Sequence, residues 1–349
     1  MPVTVRSFAK INLGLSIGPL RPDRFHELRT VYQTIALHDI IRAQITRGTG
    51  IEIRCDDPRV PKDESNTCHR IAERAMTALN AHGRVVIEIE KRLPVQGGLG
   101  GASGNAVATL LALERALKKE LPGPERLRIA ADVGSDLPLF LVGGTVLGVE
   151  HGEAVYPLPD LPALPCVVAT PNIGVSTPKA FADWDELQKP AELRSARMGD
   201  GTRPSTTSGK LTASEPSDRM LEFGRRLAAW LSSQSNIKSG KGLSGVSARG
   251  RGRAETPLLD LVRTGIENDF EQVVFPQHPE LAEVKRVLAR AGAFYASLSG
   301  SGSAVYGLFA SRDRAAKAAA RLRRTGVEAR VTTTLARRQY WKKFLVSRF

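Results

Sequence analysis

Leu93-Pro94-Val95-Gln96-Gly97-Gly98-Leu99-Gly100-Gly101-Ala102-Ser103-Gly104-Asn105-Ala106-Val107-Ala108 is the stretch around which the rest of the chain is organised. Five glycines fall among the eight positions 97–104. A β-branched run, Arg84-Val85-Val86-Ile87-Glu88-Ile89-Glu90-Lys91, precedes them, and an apolar run from Ala106 to Leu117 follows. The order is strand, glycine loop, helix. Glycines let the backbone approach a ligand closely and adopt positive φ. The unpaired N–H groups at the start of the following helix, with its dipole, favour a phosphate. The loop ends in Gly104-Asn105-Ala106, so it is not a P-loop, which requires Gly-Lys-Ser/Thr there. It also lacks the first-strand context and the trailing acidic residue of a dinucleotide fingerprint.

The chain has 349 residues, room for two domains or one large one. No run approaches the length of a membrane span, and the first residues carry no apolar core of signal-peptide length, so a cytoplasmic protein is expected. Cys55, Cys68 and Cys166 are odd in number and widely spaced, which suggests reduced thiols rather than a metal or redox set. The formal charge of +14 admits nucleic-acid binding, and equally a polyanionic small substrate.

Outward from the loop, residues 3–20 read as a strand. Lys10 and Asn12 share a face that Gly14 continues without a side chain, leaving room for a ligand. A turn at 18–24 leads into Phe25-His26-Glu27-Leu28, with Tyr32 close behind; by themselves Phe25 and Tyr32 read as core residues and His26 as a satisfied polar group. Short strands are expected at 50–55 and 84–91, and helices at 66–80, 104–119 and 125–133. Gly134-Ser135-Asp136 opens an apolar run, with Asp136 in a helix-capping position next to buried surface. A hairpin follows, 143–149 with 154–158, turning at 150–153. Proline-rich 157–165 marks a boundary, giving domains 1–160 and 161–349. Beyond it lie a strand at 165–170 and a helix from Thr177 to Leu187, capped by Thr177. Residues 188–256 are rich in Ser, Gly, Thr and Arg and read as a mobile insertion with one helix, 218–231. Helices at 258–264, 268–274 and 280–291 precede a second glycine turn, Ser299-Gly300-Ser301-Gly302-Ser303. Helix 312–325 and strand 327–334 come before a basic, aromatic tail.

Phosphoryl transfer needs a positive charge near the transferred group and a residue that places the acceptor hydroxyl. Lys10 can offer the first and Asp136 the second. Ser103 adds a hydroxyl that can reach a phosphate or Mg²⁺.

Pro94 to Ala106 resembles the second motif of the GHMP kinases, Pro-x-x-x-Gly-Leu-Gly-Ser/Gly-Ser-Ser-Ala/Asp-Ala. Ala9-Lys10-Ile11-Asn12-Leu13, Arg21-Pro22-Asp23-Arg24-Phe25-His26-Glu27-Leu28, Gly134 to Leu141, Asn268-Asp269-Phe270-Glu271 and Ser299 to Ser303 resemble further motifs, in order. Together they are similar to those of the branch that phosphorylates 4-diphosphocytidyl-2-C-methyl-D-erythritol. The resemblance implies a two-domain α/β (α+β) GHMP-kinase fold. It would have an N-terminal mixed-sheet ATP-binding domain and a smaller C-terminal α/β domain carrying the insertion. It implies transfer of the γ-phosphate of ATP, with Mg²⁺, to the C2 hydroxyl of that substrate, a step of the non-mevalonate isoprenoid pathway. Lys10 and Asp136 match the catalytic pair. Pro94, Val95, Gln96, Gly97, Gly98, Leu99, Gly100, Gly101, Ala102, Ser103 and Gly104 match the ATP loop. Asn12, Phe25, His26, Tyr32, Thr177 and Phe181 match positions that hold the cytidine diphosphate part, where aromatic faces can sandwich a pyrimidine and a histidine can read its edge. Arg24 and Phe25 stand where the branch carries glycine and tyrosine. The metal ligands are unknown from sequence. A monomer or weak homodimer is expected, with no nucleic-acid or membrane partner. Two other readings remain on the residues: a kinase of another small alcohol, such as mevalonate or homoserine, and a nucleic-acid-binding protein driven by the basic charge.

Overall fold

A computed structural model describes residues 1–189, 223–225 and 267–346. β1 (Val3–Leu20) and β2 (His26–Thr46) form one long antiparallel pair. β2 continues to Thr46 because Ile40, Ile41 and Ala43 are buried beside the first residues of β1. The first sheet has the order β3–β4–β2–β5–β6, with β1 on β2. Its other strands are β3 (Ile51–Cys55), β4 (Arg84–Glu90), β5 (Thr145–Val149) and β6 (Ala154–Pro157). Only β3 and β4 run parallel, joined by the crossover helix α1 (Thr67–Ala78). With α2 (Gly101–Leu117), α3 (Gly123–Val133) and α4 (Leu137–Val142), α1 packs against the sheet around Ile41, Ile71, Val107, Leu110 and Phe140.

The second sheet is antiparallel throughout, in the order β10–β7–β9–β8. Its strands are β7 (Pro165–Thr170), β8 (Tyr295–Leu298), β9 (Val305–Leu308) and β10 (Glu328–Thr333). Its helices are α5 (Thr177–Gln188), α6 (Glu271–Gln277), α7 (Pro279–Arg290) and α8 (Arg312–Arg324). Trp184, Phe270, Leu281 and Phe309 lie in this core. The last helix, α9 (Arg337–Phe344), returns to the first sheet, where Tyr340 donates to the Phe140 carbonyl at 2.7 Å.

Several boundaries differ from the sequence reading, each for a local reason. α2 begins at Gly101, three residues before the expected Gly104, because Gly100 takes φ +67° and the Gly104 N–H closes onto its carbonyl at 2.8 Å. Ser176, not Thr177, caps α5, its hydroxyl accepting from the Lys179 N–H. The helix expected at 268–274 starts at Glu271, since Asn268 instead accepts from the Phe270 N–H in a turn. A β-bulge between Asn12 and Gly14 interrupts the expected alternation, and the Gly14 carbonyl accepts the Thr30 hydroxyl. The helix expected at 258–264 lies outside the described residues, as does the insertion 188–256 except for 188–189 and 223–225. Of the helix expected at 218–231, only Phe223, Gly224 and Arg225 are described; they are helical, and Phe223 is buried in a cluster that draws on both sheets. All three cysteines are free and buried, and burial pushes the Cys68 thiol up to about 12.

One buried charge ties this frame to the glycine loop. The outer edge of β2 is shared, 30–33 pairing with β5 and 40–46 with β4. Asp39 lies in the gap between them, wholly buried. Its Oδ1 accepts from the Arg92 and Leu93 N–H groups, both at 2.7 Å. Its Oδ2 accepts from Lys91 Nζ at 2.5 Å and Asn105 Nδ2 at 3.0 Å. These donors flank the loop on both sides, so one carboxylate fixes the loop's two ends. Removing one partner of such a pair strands a buried charge and costs about 3–5 kcal/mol. Asp39→Asn is expected to lower the unfolding free energy by about 3 kcal/mol, read as a fall in the urea midpoint. An unchanged midpoint would show that the loop is held by other means.

Candidate active site

The glycine loop runs from Pro94 to the first turn of α2. Gly98 (φ +73°) and Gly100 (φ +67°) need the left-handed region, and Gln96 occupies it without being glycine (φ +59°). Because the first intrahelical bond of α2 is made by the Gly104 N–H, the preceding amides of the turn have no partner inside the helix. Gly104 itself is set by packing: a Cβ there would press on the Phe8 carbonyl and the Ser7 hydroxyl of β1.

Two cavities meet at this loop. The first, of about 330 Å³, is lined by Arg59, Val60, Asn66, Thr67, Lys91 and the loop from Pro94 to Ser103. The N-terminus of α1 also reaches it, where the Thr67 hydroxyl donates to the Ala102 carbonyl at 3.0 Å. The second, of about 710 Å³, is lined by Lys10, Asn12, Phe25, His26, Tyr32, Asp136, Thr177 and Phe181, among others. Gly98, Gly100 and Ser103 border both. Residues distant in sequence are thus gathered around a junction made of glycine backbone and one hydroxyl. Gly14 does not line the second cavity, so the room expected beside it is absent; the bulge turns the strand there.

At the junction, Lys10 Nζ lies 3.2 Å from Asp136 Oδ2 and donates to Asn12 Oδ1 at 2.8 Å. Asn12 Nδ2 donates in turn to the Thr30 hydroxyl at 2.8 Å, and that hydroxyl to the Gly14 carbonyl at 2.7 Å. Asn12 therefore spends its amide on aiming Lys10. Asp136 occupies the N-cap position of α4, yet its side chain caps nothing. Oδ1 accepts instead from the Tyr32 hydroxyl at 2.9 Å. Lys10 and Tyr32 thereby fix the carboxylate's orientation, and its remaining lone pairs are left for a ligand. Burial, and behind it the charge of Asp136, raises the Tyr32 phenol well above its ordinary pKa.

At the far end of the second cavity the aromatic residues carry histidines. The Phe181 ring is stacked on His26, centroids 5.2 Å apart and planes within 5°, and meets Phe270 edge-on. His26 is buried; its Nδ1 faces the Gly18 carbonyl at 3.0 Å and its Nε2 the Asp185 carboxylate at 3.1 Å. Phe25, 59 % exposed, lies on His151 at 4.7 Å. His151 Nε2 contacts Asp23, which also accepts from the Phe25 N–H and is held below the usual carboxylate range chiefly by that bond. Arg24 keeps the turn with φ +68°, the left-handed conformation a glycine would take without strain. Thr177 and Ser301 join hydroxyl to hydroxyl at 2.6 Å, bridging α5 and the second glycine turn.

Asp39, Lys91, His151 and Asp185 were not singled out in the sequence. Lys91 immediately precedes the loop, and Asp185 follows Phe181 by one helical turn, so both had a positional signal. Asp39 and His151 had none, because strand pairing and the hairpin turn deliver them. Among the described residues no cluster of three or more His, Cys, Asp or Glu side chains could hold a metal, and no helix is long and apolar enough to cross a membrane.

The chain is similar to known proteins over most of its length. The family model for the GHMP kinases N terminal domain matches residues 66–144, and that for GHMP kinases C terminal matches 255–328. A 4-diphosphocytidyl-2-C-methyl-D-erythritol kinase of Solibacter usitatus (strain Ellin6076) is 38% identical over 309 residues, 88% of this chain and 82% of the relative. The kinase of the same name from Acaryochloris marina (strain MBIC 11017) is 33% identical over 89% of this chain and 88% of its own. Among solved structures, a 4-(cytidine 5'-diphospho)-2C-methyl-D-erythritol kinase superposes with a TM-score of 0.66 at 27% identity, covering 95% of this chain and 98% of that one. The mevalonate kinase of Methanococcus jannaschii shares the fold, with a TM-score of 0.61 at 14% identity over 96% of this chain and 98% of that one.

The Tyr32 phenol stays protonated while exposed tyrosines ionise near pH 10. Absorbance titrations of the wild type and of Tyr32→Phe are therefore expected to coincide up to about pH 11. An ionisation missing from the variant at lower pH would mean that the phenol is not buried beside the carboxylate in solution.

Proposed function

The chain belongs to the 4-diphosphocytidyl-2-C-methyl-D-erythritol kinases, a branch of the GHMP kinases, and on that premise we propose that it transfers the γ-phosphate of ATP to the C2 hydroxyl of 4-diphosphocytidyl-2-C-methyl-D-erythritol. The observation that carries the reading is the junction at Gly98, Gly100 and Ser103, where a smaller cavity meets a larger one at the Lys10–Asp136 pair. ATP occupies the smaller cavity with its phosphates against the first turn of α2, whose free amides and dipole suit an anion. The acceptor occupies the larger cavity, its hydroxyl at Asp136 and its cytosine among Phe25, His26 and Phe181.

Each residue then has a distinct part. Lys10, aimed by Asn12, sits where charge spreads over the transferred phosphoryl oxygens. Asp136, held by Tyr32 and Lys10, orients the acceptor hydroxyl and takes its proton at the oxygen facing the cavity. Phosphoryl transfer through a loose transition state asks little of a base, so orientation is the larger service. Thr177 and the second glycine turn border the path of the diphosphate. Mg²⁺ needs hard oxygen ligands and keeps several waters, and the Ser103 hydroxyl and Asp136 carboxylate at the junction are donors of that kind. Bound there with the triphosphate, it would neutralise phosphate charge.

The competing reading within the superfamily is a smaller alcohol such as mevalonate or homoserine. A cavity of about 710 Å³ with an aromatic far end exceeds what those acceptors fill. ATP consumption measured with the cytidylyl substrate, mevalonate and homoserine separates the readings; turnover only with one of the latter two would refute the proposal. Asp136→Asn is expected to lower kcat about 10²- to 10⁴-fold, with ATP affinity changed less than about threefold. Near-normal turnover by the purified variant would remove Asp136 from the mechanism.

A further inference from the structure

We infer that the outer face of α8 is a second binding surface, one that takes the phosphate backbone of a duplex nucleic acid without reading its sequence. α8 carries six cations and one carboxylate in thirteen residues. Ala315, Ala318, Ala319 and Leu322 are buried against β7 and β10, which leaves the charged residues to the outer faces. Arg314, Lys317, Arg321 and Arg324 follow at intervals of three and four residues and form one stripe, all four exposed. Lys317 is paired with Asp313 at 2.9 Å in an open setting, where such a pair contributes little. Among the described residues Arg314, Arg321 and Arg324 make no ion pair. α7 adds Arg286 and Arg290, which share Glu283. The two helices adjoin: a Cβ at Gly292, just past α7, would touch the Arg314 side chain.

Neither helix stability nor the active site accounts for this face. Cations in a last turn suit the helix dipole, which covers Arg321, Arg323 and Arg324. Arg312 and Arg314 stand in the first turn, where the dipole favours acids, with only Asp313 between them. Like charges three or four positions apart also repel along the stripe. The cations that line the cavities are Arg59 and Lys91 in the smaller and Lys10 and Arg24 in the larger, none of them from α7 or α8. Polyanionic small substrates therefore give no reason for this part of the +14 charge.

The chemistry of the face selects its partner. A lipid surface or a protein partner is gripped by aromatic or large aliphatic anchors. Among the described residues, none of the exposed large hydrophobic side chains stands on α7 or α8. Five of the six cations on α8 are arginines, whose planar forks take phosphate oxygens two at a time. The stripe spans about 15 Å, with a cation every 5 Å or so, roughly one per helical turn. A duplex offers a phosphate per about 1.7 Å of its axis, so each cation finds its own. Contacts to the backbone need no recognised motif, so the surface departs from the expectation that the chain has no nucleic-acid partner.

The test uses the full chain and a fluorescently labelled duplex DNA of about 20 base pairs, with binding followed by anisotropy as salt is raised. Four phosphate contacts predict a log–log slope of about −3.6, an affinity loss of about 10²-fold between about 50 and 200 mM salt. Arg314→Gln, Arg321→Gln and Arg324→Gln combined should make the slope shallower by about 2.7. Lysine at the same three positions should keep the wild-type slope. Kinase kcat/KM should stay within about twofold in both proteins, which also shows that they are folded. Arg338→Gln, Lys342→Gln and Lys343→Gln combined, an equal loss of charge on α9, should leave the slope unchanged. A slope unaltered by the α8 substitutions, or lowered as much by the α9 set, would overturn the proposal. So would wild-type binding to phosphatidylserine vesicles with none to the duplex. Turnover is read on its own, so failure of this surface and failure of the kinase reading are told apart.

Discussion

Gly98 and Gly302 meet backbone to backbone, and everything at the site depends on that contact. A Cβ on either would collide with the main chain of the other loop. The approach is locked by the Ala304 N–H donating to the Gly97 carbonyl at 3.1 Å and the Ser299 hydroxyl donating to the Gly98 carbonyl at 3.0 Å. On the other side, the Lys10 N–H donates to the Leu99 carbonyl at 2.9 Å. The glycine loop is thus clamped between β1 of the first sheet and the β8–β9 turn of the second. Asn268 extends the clamp, its amide donating to the carbonyls of Leu298 and Gly300. A phosphate site built this way has its amides oriented before a ligand arrives, so little reorganisation is left for binding or for the transition state. The glycines serve mutual approach as much as approach to a ligand.

Under the loop the polarity is reversed. Asp39 is an anion in the core, and Lys91 brings a cation close to the first turn of α2. An ion pair with nothing else attached would be a poor use of a buried position, since desolvation offsets much of the attraction. Asp39 also satisfies two backbone amides and Asn105, so its charge is spent on hydrogen bonds that decide where the loop leaves β4 and where α2 begins. That accounts for a charged residue in a gap of the β2 edge, where an apolar side chain would have packed but held nothing.

The glycine loop, its strand and its helix were legible because each has a short-range signal: glycine spacing, β-branched residues, an apolar run. Lys10 and Asn12 were legible as neighbours through strand alternation, and they touch as expected. The reading stopped where long-range pairing takes over. The bulge after Asn12 has no local signature, and it moved Gly14 out of the cavity wall. Asp136 was correctly placed at a helix start, but only the fold delivers Tyr32, 104 positions away, to its carboxylate. Asn12 and Tyr32 were grouped with the substrate-holding residues by resemblance; in the structure their polar atoms face Lys10 and Asp136. The start of α2 was misjudged because glycine looks like loop, although the first turn of a helix tolerates it when its amides are meant to stay free.

The proposed function divides the work of the site between parts of the chain that fold on different sheets. Lys10, Tyr32 and Asp136 belong to the first sheet and its helices, close to the loop, and form one connected network. Thr177, Phe181 and Asp185 belong to α5 on the second sheet, and Thr177 is bonded to Ser301 of the second glycine turn. His26 spans the two, being the first residue of β2 while its ring lies on Phe181. Phe25 and Phe181 do not oppose two bare faces; each already carries a histidine, Phe25 on His151 and Phe181 on His26. Rings braced in this way lose less freedom when a base arrives than unsupported side chains would. On the proposed function, recognition of the base falls to α5 and to the turn that packs on Phe25, and the reacting atoms to the clamp at Gly98. On that reading, changes in α5 can alter acceptor choice without disturbing the phosphate loop, because Thr177 and Phe181 stand on a different sheet from Lys10 and Asp136.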